Sequence, residues 1–597
     1  DFFIKNEVMH LDDIEKETAP KVEQYLSKIR VLRAIAGKLI DFLAQLEDFQ
    51  KKLWLKKKFV VESSWLISVG VIPEEFYPEI AANEAQRGEW VSLCAIHEIK
   101  GDLSTAGYEA PLSVGFLKSN PALVLDTRLL DGPLSARLLA GVGELDAKCD
   151  GVLMHAENSQ GLRFVHKRFR DAAKLVYTDP LYNTGSDGFP YKDAYQHSSW
   201  GTMMYERLEL ARELLRRDGV LAHYIDENER MLAAQLLAVV FDPANLAGEI
   251  IWKNSSKNDQ AYVSMQHETI LFAVKDKSRN VGDWTERKEG IEEIYAAFER
   301  FRAAHGADAR AIHEAALAWY GTFPESNPIT DSKHYAWMDE RGVYFADNIS
   351  GPNFGQYRYE VLHPVTRRAC KEPSSGWRFP PETMRERIAD GLVHFGEDES
   401  TVPNNKTYLK NTERQSLTSI KYRDGRVASK QLAAMFGAKV FTNPKDVELS
   451  SRLMRALGTE GEWVVDYFGG SGTTAHAIIG LNREGGARRR FVLMEIGVHF
   501  ETVLLPRLKK VAFTPEWKEG KPARMPTGEE IERGPRIIKV LRLESYEDAL
   551  NNLETQRTPE QQQVLFSPDA DGPDGFREDY LLRYMLDVET RESPSLL

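Results

Sequence analysis

The chain has 597 residues, 42% of them apolar and 28% charged, with a formal net charge of −13. Such a length exceeds one domain, and a length prior suggests about four. No run reaches the ~18 consecutive apolar residues of a membrane span. No signal peptide opens the chain, and Cys94, Cys149 and Cys370 lack the spacing of a metal motif. A cytoplasmic protein with reduced thiols and no metal centre is expected. The chain opens on Asp1 rather than Met and ends in Ser-Pro-Ser-Leu-Leu, which reads as part of something longer.

The acidic balance opposes a nucleic-acid partner unless positive charge is segregated, and here it partly is. Basic clusters lie at Arg163–Arg170, Arg367–Arg378, Lys406–Lys430, Arg483–Arg490 and Arg507–Lys510, with acid concentrated at Glu7–Glu17, Glu397–Glu399 and Glu544–Glu554. A basic cleft in an acidic body fits that pattern.

In chain order, apolar residues from Val22 to Ile35 recur at three- and four-residue spacing, so Ala19–Lys58 is predicted helical. Residues 59–150 read as mixed strands and helices, with a docked surface helix and loop over Phe76–Trp90. Residues 1–150 are expected to form an accessory region.

An α/β core begins near Gly151. Val152–His155 is predicted as a strand with Glu157-Asn158 at its tip, and Lys174–Thr178 as a second. The segment Asp179-Pro180-Leu181-Tyr182-Asn183-Thr184-Gly185 follows as a loop. A helix over Trp200–Arg217, a strand over Gly219–Ile225, and a helix to Phe241 capped by Asp226–Glu229 come next. Glu249–Lys253 and Thr269–Val274 suggest a hairpin around the polar stretch Asn254–Gln266, with His267-Glu268 in a structural role.

From 278 to 436 this rhythm breaks. A helical hairpin over Glu289–Trp319 precedes His363–Lys371 and Gly376–Pro381, where cations, aromatics and turn residues mix as they do on surfaces that contact phosphates and base edges. The core resumes over 437–530. A helix over Val447–Leu457 leads to the strand Glu462–Phe468, the loop Gly469-Gly470-Ser471-Gly472 and a helix opened by Thr473-Thr474. The strand Arg490–Glu495 and a long helix over Phe500–Phe513 complete it. Residues 531–597 form a tail containing Gly534–Arg542 and Tyr580–Arg591. Strands alternating with helices predict a doubly wound α/β core, 151–277 and 437–530, around an insert.

Two loops carry chemistry. Glycines between a strand and a helix let a ligand approach the backbone, and the helix N-terminus offers unpaired N–H groups. Glu495, 26 residues past Gly469 (495 − 469), lies near the ~20 expected of a carboxylate that holds ribose hydroxyls. The Asp179 loop offers a carboxylate, a stiff carbonyl at Pro180 and an aromatic ring at Tyr182. These suit an exocyclic amine on a nucleic-acid base. Its lone pair is delocalised into the ring, and two acceptors on its hydrogens would free it, with Tyr182 stacked on the flipped base.

The Asp179–Tyr182 stretch resembles the Asp-Pro-Pro-Tyr motif of amino-methyltransferases acting on DNA adenine, with Leu181 in place of the second proline. Phe468–Thr474 resembles their S-adenosylmethionine loop. The order of parts is that of the β group, and the Asn-Thr-Gly extension, the large insert and the tail resemble the modification subunits of type III restriction-modification systems. The resemblance implies a Rossmann-like S-adenosylmethionine-dependent fold with catalytic Asp179, Pro180 and Tyr182. It assigns the cofactor to Glu157, Asn158, Phe441, Pro444, Lys445, Asp466, Phe468, Gly469, Gly470, Ser471, Gly472, Thr473, Thr474 and Glu495.

It further implies a target-recognition domain at 278–436, adenine-N6 methylation of a short asymmetric site in double-stranded DNA, a homodimer, and a separate ATP-dependent restriction subunit. This chain has no Gly-x-x-x-x-Gly-Lys-Ser/Thr loop of its own. No cysteine follows a proline, as a cytosine-C5 nucleophile typically would, and cytosine-N4 methylation usually goes with Ser at the Asp179 position. A DNA-binding specificity module with catalysis weakened by Leu181, an RNA substrate, and cytosine-N4 methylation remain the alternatives.

Overall fold

A computed structural model of the chain describes residues 19–551 apart from 102–105, 186–192, 257–261, 326 and 353–356. The acidic stretch Glu7–Glu17, the tail segment Tyr580–Arg591, the end of Glu544–Glu554 and the middle of the Asn254–Gln266 loop lie outside the described residues. The chain divides into two compact units.

The larger unit, Ser64–Leu153 with His166–Lys539, is built on one sheet. In chain order the first strands are β1 (Val60–Ser68), β2 (Val124–Asp126), β3 (Gly151–His155), β4 (Ala173–Thr178), β5 (Leu215–Ile225), β6 (Leu246–Lys253) and β7 (His267–Val274). The insert carries β8 (Thr285–Arg287), β9 (Trp337–Asp339), β10 (Gly342–Asp347), β11 (Val393–His394), β12 (Asn404–Tyr408) and β13 (Arg414–Ser416). Then come β14 (Ile420–Tyr422), β15 (Trp463–Asp466), β16 (Arg490–Glu495), the short pair β17 (Trp517–Lys518) and β18 (Lys521–Pro522), and β19 (Ile537–Leu543). Eleven strands join in the order β14-β6-β7-β5-β4-β15-β16-β3-β19-β1-β2.

Pairs β5–β4, β4–β15 and β15–β16 are parallel, and β7 runs antiparallel between β5 and β6. Strands buried on both faces read as near-continuous apolar runs, which is why Leu175, Val176, Val464, Val465 and Phe491–Met494 sit at or near zero exposure. The chain leaves β4 toward β5 and leaves β15 toward β16, on the other side. The crevice at the C-terminal ends of β4 and β15 is therefore the switch point where open α/β sheets hold ligands.

Several expectations shift. The helix predicted over Trp200–Arg217 is His197–Leu214, and β5 starts at once with Leu215. Phe500–Phe513 divides into a π-helical stretch, Phe500–Leu504, and an α-helix from Leu505. Helix Glu84–Cys94, expected on the surface, buries Trp90, whose indole N–H donates to the Val124 carbonyl (2.7 Å). Residues 64–150 share the larger unit, and β1, β2 and the tail strand β19 extend the same sheet, so the accessory region and the tail are partly integral to it.

The insert has its own four-stranded sheet, β11-β12-β10-β9, beside the helical pair Ile291–His305 and Ala309–Tyr320. Trp377, expected among contact residues, is fully buried with Ile349, Val361, Met384 and Val393. Its indole N–H donates to the Tyr359 carbonyl. It is core, not contact surface.

In the smaller unit, the described residues up to 63, 154–165 and from 540 on, one helix spans Ala19–Leu55 and buries Phe49 and Leu53. Glu544 pairs with Lys56 (3.6 Å) and its N–H donates to the Phe59 carbonyl. The Glu157 carboxylate accepts the Gln160 N–H (3.0 Å), capping the helix Asn158–Phe169. No helix among the described residues is long and apolar enough to cross a membrane.

Candidate active site

Strands β4 and β15 lie side by side with Leu175 opposite Val464 and Val176 opposite Val465. Two loops about 290 positions apart in sequence (469 − 179) therefore leave one sheet at the same end.

In the Asp179 loop, side chains from distant elements fix the backbone. Pro180 is buried. The Leu181 carbonyl accepts the indole N–H of the fully buried Trp200 (2.9 Å). That tether holds the loop where a second proline would otherwise stiffen it. Asn183, at φ +59°, receives the Asp193 carboxylate on its N–H (2.8 Å); the same carboxylate accepts from the N–H (3.0 Å) and hydroxyl (2.5 Å) of Thr184. The Asn183 amide donates to the Tyr195 carbonyl and to Glu229 (2.6 Å), which also lies 2.7 Å from His197 Nδ1. Glu229 was expected to cap the helix Arg230–Phe241; its side chain makes no cap there and is turned to the Asp179 loop instead.

Three polar groups converge on Asp179. Lys445 Nζ lies 3.1 Å from Asp179 Oδ1 and 2.9 Å from Glu268 Oε2, and 4.6 Å from the centre of the Tyr182 ring. The Tyr182 hydroxyl donates to Glu268 Oε2 (2.7 Å). Burial raises the Asp179 carboxyl above its ordinary range, Lys445 opposing and Glu268 adding. Burial and the two carboxylates hold the Tyr182 phenol well above its usual value, so it stays protonated. Burial works against the Lys445 ammonium, but Asp179 and Glu268 outweigh it and raise it. Among the described residues Asp179 Oδ1 makes no directed hydrogen bond; its tie to Lys445 is ionic.

The glycine loop is held differently. Gly470 and Gly472 take φ +50° and +82°, conformations that cost a residue with Cβ roughly 1–2 kcal/mol. A Cβ on Gly472 would stand 2.9 Å from Leu508, and one on Gly469 3.2 Å from Leu504 and the Met494 carbonyl. Asp466, at the end of β15, accepts the Phe468 N–H (3.0 Å) and the Thr474 hydroxyl (2.6 Å); burial pushes its carboxyl up to about 8. Glu495, at the end of β16, accepts the N–H groups of Gly470 (2.8 Å) and Gly497 (2.7 Å). Burial would raise it, but His499 and these two donors hold it below the usual carboxylate range.

Behind the loop, Arg507 donates to the Ser471 carbonyl (3.1 Å) and hydroxyl (2.8 Å) and to Thr473 Oγ1 (3.1 Å). Burial lowers its pKa to about 9.

Phe441 packs edge-on to His499 (5.2 Å) and reaches toward Gly470. Pro444 is buried, and the Lys445 carbonyl accepts the Thr473 hydroxyl (3.3 Å). Lys445 thus touches the glycine loop with its backbone and Asp179 with its side chain. Glu157 and Asn158 belong to the smaller unit.

The basic cluster Arg507–Lys510 is not contact surface, because Arg507, Lys509 and Lys510 are buried; Arg483 and Arg489 are buried too, while Arg488 between them is exposed. Arg483 donates to the carbonyls of Val511 (2.6 Å) and Ala512 (2.7 Å), and Lys509 pairs with Asp126 (2.7 Å). Asp193, Glu229 and Arg507 were not foreseen as supports, and Glu268 was read as structural. The only sequence signal for Glu268 is its place at the start of a strand beside the Asn254–Gln266 loop.

This doubly wound sheet, with both loops at its switch point, has the architecture of the Rossmann-like methyltransferases. Residues 173–504, more than half of the chain, match the family described as DNA methylase, and the chain belongs to that family. It is 29% identical over 380 residues to the type III restriction-modification enzyme EcoP15I Mod subunit of Escherichia coli, covering 58% of each chain. It is 28% identical to the StyLTI Mod subunit of Salmonella typhimurium, over 58% of this chain and 52% of that one. The type II methyltransferase M.KpnI of Klebsiella pneumoniae is 22% identical, over 60% and 83%. The chain thus spans a little over half the length of the Mod subunits it matches. A DNA modification methylase from Thermus thermophilus, solved with S-adenosyl-L-methionine, is 12% identical with a TM-score of 0.28, over 62% of this chain and 96% of that one; a likeness that low supports nothing further.

Proposed function

We propose that the chain transfers a methyl group from S-adenosyl-L-methionine to adenine N6 in a short asymmetric site of double-stranded DNA, as the modification and specificity subunit of a type III-like system. The observation that supports this most is the meeting of the two loops at one switch point, with Asp179 Oδ1 uncommitted to any directed hydrogen bond.

The glycine loop suits the cofactor. Gly472 has no room for a side chain, Gly470 takes a left-handed φ and Gly469 lies tight against Leu504, and the helix Thr473–Gly485 begins there with its N–H groups toward the loop. Asp466, Phe468, Ser471, Thr473, Thr474, Glu495, Phe441 and Pro444 would line it. Bound, the cofactor supplies an electrophilic methyl group.

The chain's part is positional and electrostatic. Asp179 and the Pro180 carbonyl accept the two amine hydrogens, localising the nitrogen lone pair. Tyr182 stacks on the flipped base, at a cost of a few kcal/mol for unstacking. Once nitrogen carries the methyl group it must lose a proton, and Asp179, raised above the ordinary carboxylate range, is the base within reach.

Residues 278–436 would read the site, with Arg367, Arg368, Lys371 and Arg378 exposed on the insert. A homodimer and a separate ATP-dependent restriction subunit belong to the same proposal. Asp rather than Ser at 179 favours adenine over cytosine N4, and the Trp200 tether on Leu181 argues against a loop too loose for catalysis.

The test is transfer of labelled methyl from S-adenosyl-L-methionine to genomic DNA of a methylation-free bacterium, followed by nucleoside analysis. Label in N6-methyladenine, and none in RNA, is expected. Label in N4-methylcytosine or RNA, or no label with folded protein that binds the cofactor, would refute the proposal.

A further inference from the structure

Lys445 was expected beside the cofactor, yet its ammonium stands among the groups that would face the base. It has two carboxylates to serve, and they are unequal. Glu268 is committed on both oxygens: Oε1 accepts the Asn254 amide (2.6 Å), and Oε2 accepts the Tyr182 hydroxyl (2.7 Å) and Lys445 (2.9 Å). Asp179 meets Lys445 through Oδ1 at 3.1 Å, without hydrogen-bond geometry at that atom, and Tyr182 also acts on its carboxylate. Its side chain is also the more exposed, 28% against 19%. The Lys445 backbone is fixed by Thr473, so its four-carbon stem is the part free to swing.

We propose that Lys445 is a displaceable counter-ion of Asp179 and that Glu268 is the positioning residue that receives it when the amine of the target base engages Asp179. The inference rests on the methyl-transfer reading. Two carboxylates this close cannot both stay ionised without a cation, and a protonated Asp179 loses an acceptor. Without Glu268, Lys445 would stay on Asp179 in a charge-assisted contact that a neutral amine displaces poorly.

The two variants therefore move Asp179 in opposite directions. Transfer requires the carboxylate, so its rate rises with pH through the Asp179 pKa. Lys445→Met removes the lowering charge, and the acid limb should move to higher pH by about one unit or more. Glu268→Gln removes a raising charge, so the limb should move to lower pH. At neutral pH its kcat should fall about tenfold with KM for DNA unchanged.

Tyr177, Tyr182, Tyr224 and Asp466 also face Asp179, and Asp226 faces Glu268. Wild type and both variants share them, so the difference between profiles isolates the pair.

The experiment measures labelled transfer to unmethylated bacterial genomic DNA against pH for the full chain, with S-adenosyl-L-methionine affinity by calorimetry alongside. Opposite shifts with affinity held within about threefold are expected. Limbs that stay put or move together, or a Lys445→Met variant whose main defect is about tenfold weaker cofactor binding, would overturn the inference. Should Lys445→Met fail to fold, Glu268→Gln decides alone. An inactive wild type would instead remove the methyl-transfer reading on which the inference stands.

Discussion

The Asp179 loop and the glycine loop leave adjacent strands at the same end of one sheet, yet opposite means hold them. The glycine loop is shaped from within, by left-handed glycines and a close approach to Leu504 and Leu508, and backed by a buried guanidinium. The Asp179 loop is shaped from without, by Trp200, Asp193, Tyr195 and Glu229, and its carboxylate shares a cation with Glu268. A loop that must fit one ligand closely can be rigid in its own backbone. A loop proposed to admit a base swung out of a helix is better served by side chains that can yield and return.

That contrast breaks most visibly at Asp179. Asp179→Ala should lower single-turnover transfer about 10³-fold, the cost of removing one acceptor worth ~3–4 kcal/mol in the transition state. Cofactor affinity and melting temperature should hold; loss of both would place Asp179 in the fold rather than the chemistry. Next comes Gly472→Val, where φ +82° and a Cβ 2.9 Å from Leu508 impose strain of about 1–3 kcal/mol. Calorimetry should find cofactor binding weakened by about tenfold or more, and unchanged affinity would refute the account of that loop.

Arg507→Met sharpens the comparison further. It leaves the buried Ser471 carbonyl and hydroxyl and the Thr473 hydroxyl without their donor, at a cost of roughly 1–3 kcal/mol, so the melting temperature should fall. Cofactor affinity should fall by about threefold to tenfold as Ser471 and Thr473 lose their donor. The smallest effect is expected at Glu229→Ala. Loss of its contacts to Asn183 and His197, about 1 kcal/mol, should slow transfer about fivefold and leave cofactor binding alone.

Much of the sheet was legible because its central strands are buried on both faces and stand out as short apolar runs between turn residues. The glycine loop was legible for a related reason: its constraints are local, and Gly470 and Gly472 sit where only glycine is comfortable. The supports of the Asp179 loop were not, since Asp193, Trp200, Glu229 and Glu268 reach it from other elements and no local spacing marks them. Arg507–Lys510 misled for the opposite reason. A run of cations looks like a solvated stripe until carbonyls and carboxylates from elsewhere, such as Asp126 for Lys509, are found to close over it. Helix Trp200–Arg217 overran because Leu214-Leu215 continues its apolar pattern into β5. The tail strand β19 gave no hint that it joins the sheet between β3 and β1.

The measurement that bears most directly on the central claim, one methyl-transfer site made from the loops after β4 and β15, is the methylome of a methylation-free bacterial host expressing this chain. N6-methyladenine on one strand of a single short motif is the predicted result. An unmodified genome, in cells whose protein is folded and binds S-adenosyl-L-methionine, would contradict it.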